Sequence, residues 1–145
     1  MSKIVLVGLA VIIVWAGPVV AQPLGVGVKV PLQAFVFVGF AGHWALEVGL
    51  PIGLTVGGMA AVADVKLFLG SYELVSLLWR PFVGAGASAG VRSQGELLII
   101  EATFQGIVGV EVPVPSTSLI AFAEVWLVAG RPLPGLFALG VRYEF

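Results

Sequence analysis

The chain contains no cysteine and a single histidine. Without thiols there is no disulfide framework, no thiolate metal site, no cysteine nucleophile and no acylated cysteine to anchor a lipoprotein. His43 stands alone, with no second histidine for zinc and no serine or carboxylate at a spacing useful for proton transfer. It reads as a solvated turn residue, and neither a metal, a cofactor nor a catalytic residue is expected. Charge is scarce as well: 10% of residues are charged and the net charge is −1. No basic run is present to displace counterions from a nucleic acid, which excludes that partner. A water-soluble domain carries about 25% charged residues, so much of this chain's surface must face something other than water.

What the chain has in quantity is apolar side chains, 59% of the total, and glycine, 20 residues, for a mean hydropathy of +1.11. The N-terminus reads as an export signal. Lys3 supplies the positive start, residues 4–15 the apolar core, and Val19-Val20-Ala21 a small-residue cleavage site before Gln22. The run is broken by Gly17-Pro18 and stops short of the ~20 residues a spanning helix requires. Residues 1–21 are therefore expected to be a cleavable signal peptide, and residues 22–145 a single domain.

The rest of the chain alternates. In the last stretch Phe137, Leu139, Val141, Tyr143 and Phe145 share one face, while Ala138, Gly140, Arg142 and Glu144 share the other. The same period of two runs through residues 24–30, 44–54, 60–69, 79–92, 98–112 and 119–127. Residues 34–40 alternate too, but no charge marks their inner face, and the pattern leaves open whether Phe35 and Phe37 point outward or inward. Ala41-Gly42-His43, Thr55-Val56-Gly57-Gly58, Ser93-Gln94-Gly95-Glu96 and Pro113 to Thr117 are turn signals, and the prolines at 132 and 134 make residues 130–135 a loop. Residues 70–77 read as a loop or a frayed strand end. Eight strands with short connections follow, which predicts an all-β fold, an eight-stranded antiparallel up-and-down transmembrane β-barrel preceded by a signal peptide.

The charges test this pattern. Asp64 and Lys66, Arg80 and Arg92, Glu101 and Glu111, and Arg142 and Glu144 each fall on one face of their strand, an outcome of about one in sixteen by chance. A charge facing lipid near the midplane costs roughly 2–4 kcal/mol for Arg or Lys, so these faces belong inside. Inside, Lys29, Lys66, Arg80 and Arg142 have Glu47, Asp64, Glu101, Glu111, Glu124 and Glu144 to pair with. An interior of eight strands is only wide enough for side chains to fill it, so the network is expected to plug the lumen. An even strand count brings both ends of the barrel domain to one rim, where Trp44, Trp79, Tyr143 and Phe145 fall on the outer face as an aromatic girdle. The rival architecture is a small helical membrane protein, with apolar stretches near 34–62 and 97–128. Glycine, proline and β-branched content weigh against it, as do Glu101, Glu111 and Glu124, which a lipid-exposed helix would have to bury.

Trp79-Arg80-Pro81-Phe82-Val83-Gly84-Ala85-Gly86 resembles a strand start of small outer-membrane barrels of the outer membrane protein W type and related eight-stranded families. Phe35 to Val48 resembles the hairpin that precedes it, and Gly-Val-Arg-Tyr-Glu-Phe at the end resembles their closing strand. The resemblance implies an outer-membrane location, reached by export through the inner membrane, with lipid as the surrounding partner. It also implies that the barrel-insertion machinery reads the last strand, Phe145 included. The His and Ser of deacylating and acyl-transferring barrels have no counterpart here. Two functions remain: a monomeric, non-enzymatic barrel with a filled lumen and a structural or envelope-maintenance role, or, as the resemblance suggests, a conduit for small hydrophobic molecules in which Phe68, Phe122 and Trp126 form an apolar upper lumen.

Overall fold

The structure, a computed structural model, describes residues 23–30, 33–40, 42–51, 58–94, 97–128 and 136–145. The expected signal peptide, most of the glycine turn at 55–58, the Gly95-Glu96 turn and the loop at 130–135 lie outside the described residues. Nine strands are described: β1 (Leu24–Val30), β2 (Gln33–Phe40), β3 (Trp44–Pro51), β4 (Gly58–Phe68), β5 (Tyr72–Leu74), β6 (Leu77–Gln94), β7 (Leu97–Pro113), β8 (Leu119–Val128) and β9 (Leu136–Glu144). Eight of them, all but β5, pair antiparallel with their neighbours in chain order. β1 pairs with β9 and β4 with β6, so the sheet closes on itself. No helix occurs among the described residues, and residues 97–128, a candidate span of the helical alternative, are β7, a turn and β8.

Alternation becomes burial. On β2, Gln33, Phe35, Phe37 and Gly39 are buried and their neighbours are not, so both phenylalanines face inward. On β8 the buried set is Ile120, Phe122, Glu124 and Trp126. The outward set, including Val28, Val65, Val83, Val108, Val125, Leu139 and Val141, is apolar and exposed. The strands are tilted, as closure requires. A ladder leaving the lower end of β6 at Arg80 passes through Glu111, Phe122, Gly140, Lys29 and Gln33 and reaches Pro51 at the upper end of β3.

Two features depart from the even barrel expected. Of residues 70–77, expected as a loop or a frayed strand end, Gly70 and Ser71 are irregular, but from Tyr72 β5 folds back on the start of β6 as a tight hairpin, Tyr72 against Trp79 and Leu74 against Leu77. β7 also outruns β8, which pairs with it only from Gln105 downward, leaving residues 97–104 of β7 beyond the last pair with β8.

Candidate functional site

Among the described residues, polar side chains collect in the interior, and the closed sheet decides which of them meet there. Lys29 on β1, Glu47 on β3, Lys66 on β4 and Glu124 on β8 form a ring in which each lysine touches both glutamates. Lys29 Nζ donates to Glu47 and, at 2.6 Å, to Glu124, while Lys66 Nζ donates to Glu47 at 2.7 Å and to Glu124 at 2.8 Å. All four are buried to within 2% of full. β3 and β8 lie on opposite sides of the barrel, so the ring spans the lumen. Asp64 stands beside it, 3.7 Å from Lys29 Nζ, with its other carboxylate oxygen held by Gln105 Nε2 at 2.8 Å. The indole of Trp126 donates to Glu124 at 2.8 Å.

A second group lies nearer the rim that carries the β2–β3 and β7–β8 turns. Glu111 on β7 sits between Arg80, at 3.1 Å, and Arg142, at 2.9 Å, and Arg142 also holds Glu144 at 2.6 Å. The planar, many-donor guanidinium of Arg142 serves as the hub between two carboxylates. Formal charges cancel within the ring and within this second group. That cancellation is what makes such a burial tolerable, because an unpaired ion in a dry interior costs several kcal/mol.

Aromatic rings fill what the ions leave. Lys29 lies over Trp126 at 4.8 Å and Lys66 over Phe82 at 4.8 Å, while Arg142 stacks on Phe37 at 3.5 Å and Arg80 faces Phe68 at 4.9 Å. These cation–π contacts are worth more when water is excluded. Each large ring needs room in a narrow barrel, and glycine supplies it directly across the ladder. Phe35 covers Gly27, Phe82 covers Gly109 and Phe122 covers Gly140, and in each pair a Cβ on the glycine would collide with the ring. Gly140→Val is accordingly expected to cost about 1–3 kcal/mol through overpacking, measured as a fall in the urea midpoint. Shrinking the ring with Phe122→Leu in the same chain should return part of the loss.

Of the residues expected in the lumen network, Lys29, Glu47, Asp64, Lys66, Glu111, Glu124 and Arg142 are buried together, and Arg80 and Glu144 are partly buried at the rim. Glu101 is not among them. It shares the inward face of Glu111 but lies on the part of β7 that outruns β8, opposite Gly90, and is exposed. The three aromatics expected to form an upper apolar lumen, Phe68, Phe122 and Trp126, are buried in one hydrophobic cluster with Phe35, Phe37 and Phe82. Phe68 packs edge-on against Phe37 and Phe82, Phe122 against Phe35, and Trp126 is tied to Glu124. Trp44, Tyr143 and Phe145 are exposed on the outer face and Trp79 is half-buried, all near one rim. His43 is exposed in the turn between β2 and β3, where its backbone carbonyl accepts from Phe68 N at 2.7 Å. Gln33, Phe35, Phe37 and Phe82 are plug residues that the charge pattern alone does not single out. Pairing large rings with facing glycines across the 24–40 hairpin is the signal that finds Phe35.

No protein-family model matches the sequence, and no curated protein matches it. Among solved structures, the N-terminal β-barrel domain of Pseudomonas aeruginosa OprF is similar in fold, with a TM-score of 0.50 and 17% identity, over 86% of this chain and 96% of that one. The likeness is one of architecture: a closed eight-stranded antiparallel barrel.

Proposed function

We propose that this chain is a non-enzymatic β-barrel of the outer membrane whose lumen is closed by its own side chains, serving a structural or envelope-maintenance role. The observation that carries the reading is the Lys29–Glu47–Lys66–Glu124 ring, which joins opposite walls of the barrel and is stacked above a second ion-paired group. A hydrated ion crossing the barrel would have to break contacts between buried, mutually neutralised groups, for which water at a narrow constriction is a poor substitute. The outer wall supports the address. Apolar side chains face outward all the way around, and a barrel has no open backbone edge, which is how strands can cross hydrocarbon. The likeness to the OprF domain supports the architecture. Export by residues 1–21, assembly through the barrel-insertion machinery and a monomeric state belong to the same reading.

In planar bilayers the purified protein should give no steady conductance above the bare membrane. Unboiled, it should migrate differently from the boiled sample on electrophoresis, as a barrel that resists detergent does. Long-lived open channels of uniform size would overturn the closed lumen while leaving the barrel intact. Identical migration with and without boiling would count against the membrane barrel itself.

A further inference from the structure

We infer that the β5–β6 hairpin is a bilayer-interface anchor, its tip at Val75 and Ser76 seated among lipid headgroups. The inference rests on the membrane reading and adds a second lipid contact below the barrel wall.

β4 gives out as a partner of β6 at Phe68–Phe82, and β5 takes its place, so the sheet continues past the rim as a two-stranded tongue. Pairing puts Tyr72 and Leu74 on the same face as Trp79 and Leu77, the face that higher on β6 carries Val83. That face bears no charge. Glu73 pairs with Leu78 on the opposite face. The lipid-facing surface of the barrel therefore runs without a break onto the tongue.

Polar atoms on this face are already occupied. Trp79 Nε1 donates to the carbonyl of Leu74 at 3.2 Å, and Tyr72 Oη to that of Leu69 at 3.4 Å. Aromatic side chains with a wet end and an apolar body favour the membrane boundary. The turn itself carries the sharper sign. Both of its central residues have left-handed backbone, Val75 at φ 55° and Ser76 at φ 59°. A two-residue hairpin of this kind is ordinarily built from Asn-Gly or Asp-Gly, and a β-branched residue is strained there. Val75 is also 85% exposed and Leu74 62%. In water a valine at this tip gains neither backbone comfort nor burial. At a bilayer surface its side chain has somewhere to go, and the tongue gains an apolar point with Leu74 beside it.

The absence of cysteine makes the test direct. An environment-sensitive fluorophore is attached at Val75→Cys, and in a separate variant at Val65→Cys on the barrel wall. Each full-length protein is folded into phosphatidylcholine vesicles, with folding verified by heat-sensitive migration, and Leu74→Cys replaces Val75→Cys if that turn variant does not fold. The inference expects blue-shifted emission at the tip and quenching by lipids carrying a quencher at the headgroup or the top of the chain. Water-like emission at the tip with a quenched label at residue 65 overturns the anchor and leaves the membrane barrel standing. Blue-shifted emission that lipid quenchers do not touch also overturns it, since the tip would then be covered by protein. Water-like emission at both positions removes the membrane reading itself.

Discussion

Glu124→Ala is expected to lower the unfolding free energy by about 3–5 kcal/mol, the range for stripping one partner from a buried ion pair. Glu124 accepts from Lys29, Lys66 and the Trp126 indole, so its loss leaves two buried ammonium groups sharing Glu47 and an indole N–H without its acceptor. Urea titration of the folded protein in lipid vesicles, followed by loss of the folded electrophoretic form, measures the change. Replacing the whole ring at once, Lys29→Met, Glu47→Leu, Lys66→Met and Glu124→Leu, should cost far less than the single truncation, because no uncompensated charge remains. Asp64 supplies an internal check. It sits 3.7 Å from Lys29, near enough to take up part of the lost pairing, so Glu124→Ala should be more damaging in an Asp64→Asn background than alone. If the single truncation proves as mild as the fourfold replacement, the ring is an ornament of the interior and the closed-lumen reading loses its main support.

The same ring shows how much of the interior is legible in the order of residues. Lys29, Glu47, Lys66 and Glu124 lie on four different strands, and period-two alternation alone puts each on the inner face. That they meet follows from closure, since β3 and β8 are far apart in sequence and become opposite walls only once β1 pairs with β9 and β4 with β6. Alternation assigns a face and says nothing of height, and Glu101 shows the difference. Its parity matches that of Glu111, yet β7 runs on beyond the residues that pair with β8, and Glu101 leaves the lumen with it. Phe35 and Phe37 fail in the opposite sense. They carry no charge to mark a face. For Phe35 the inward orientation is written instead in its partner Gly27, where a Cβ would meet the ring, whereas the space at Gly25 opposite Phe37 is filled by Arg142. The β5 hairpin is hidden for a third reason: Val75-Ser76 lacks the glycine or asparagine by which a tight turn is ordinarily recognised.

Alternation also explains why so polar an interior suits a chain this apolar. In a sheet whose two faces were both greasy, a strand slipped by one residue would still pack. Here a slip of β4 by one position would turn Asp64 and Lys66 out toward the surrounding medium and take Lys66 away from Glu47 and Glu124. The buried ions thus penalise wrong registers on both sides of the wall, which a hydrocarbon-filled lumen would not do.

The outward half of that penalty exists only if the medium outside is hydrocarbon, and one substitution tests it. Val108 faces outward on β7 between Val83 and Val125, all three exposed, in the middle of the apolar wall. Val108→Arg should cost roughly 2–4 kcal/mol in lipid vesicles, as expected for a cation held at the bilayer midplane, whereas the same change toward an interface costs about 0–1 kcal/mol. Leu97 is outside the barrel wall, at the far end of the β6–β7 hairpin, and is 71% exposed, so Leu97→Arg should fall in the lower range. Paired urea titrations of the two variants give the comparison without reference to any absolute stability. A soluble sandwich or barrel would tolerate arginine equally at both exposed positions, so equal midpoints would mean that water, and not lipid, wets the outer wall.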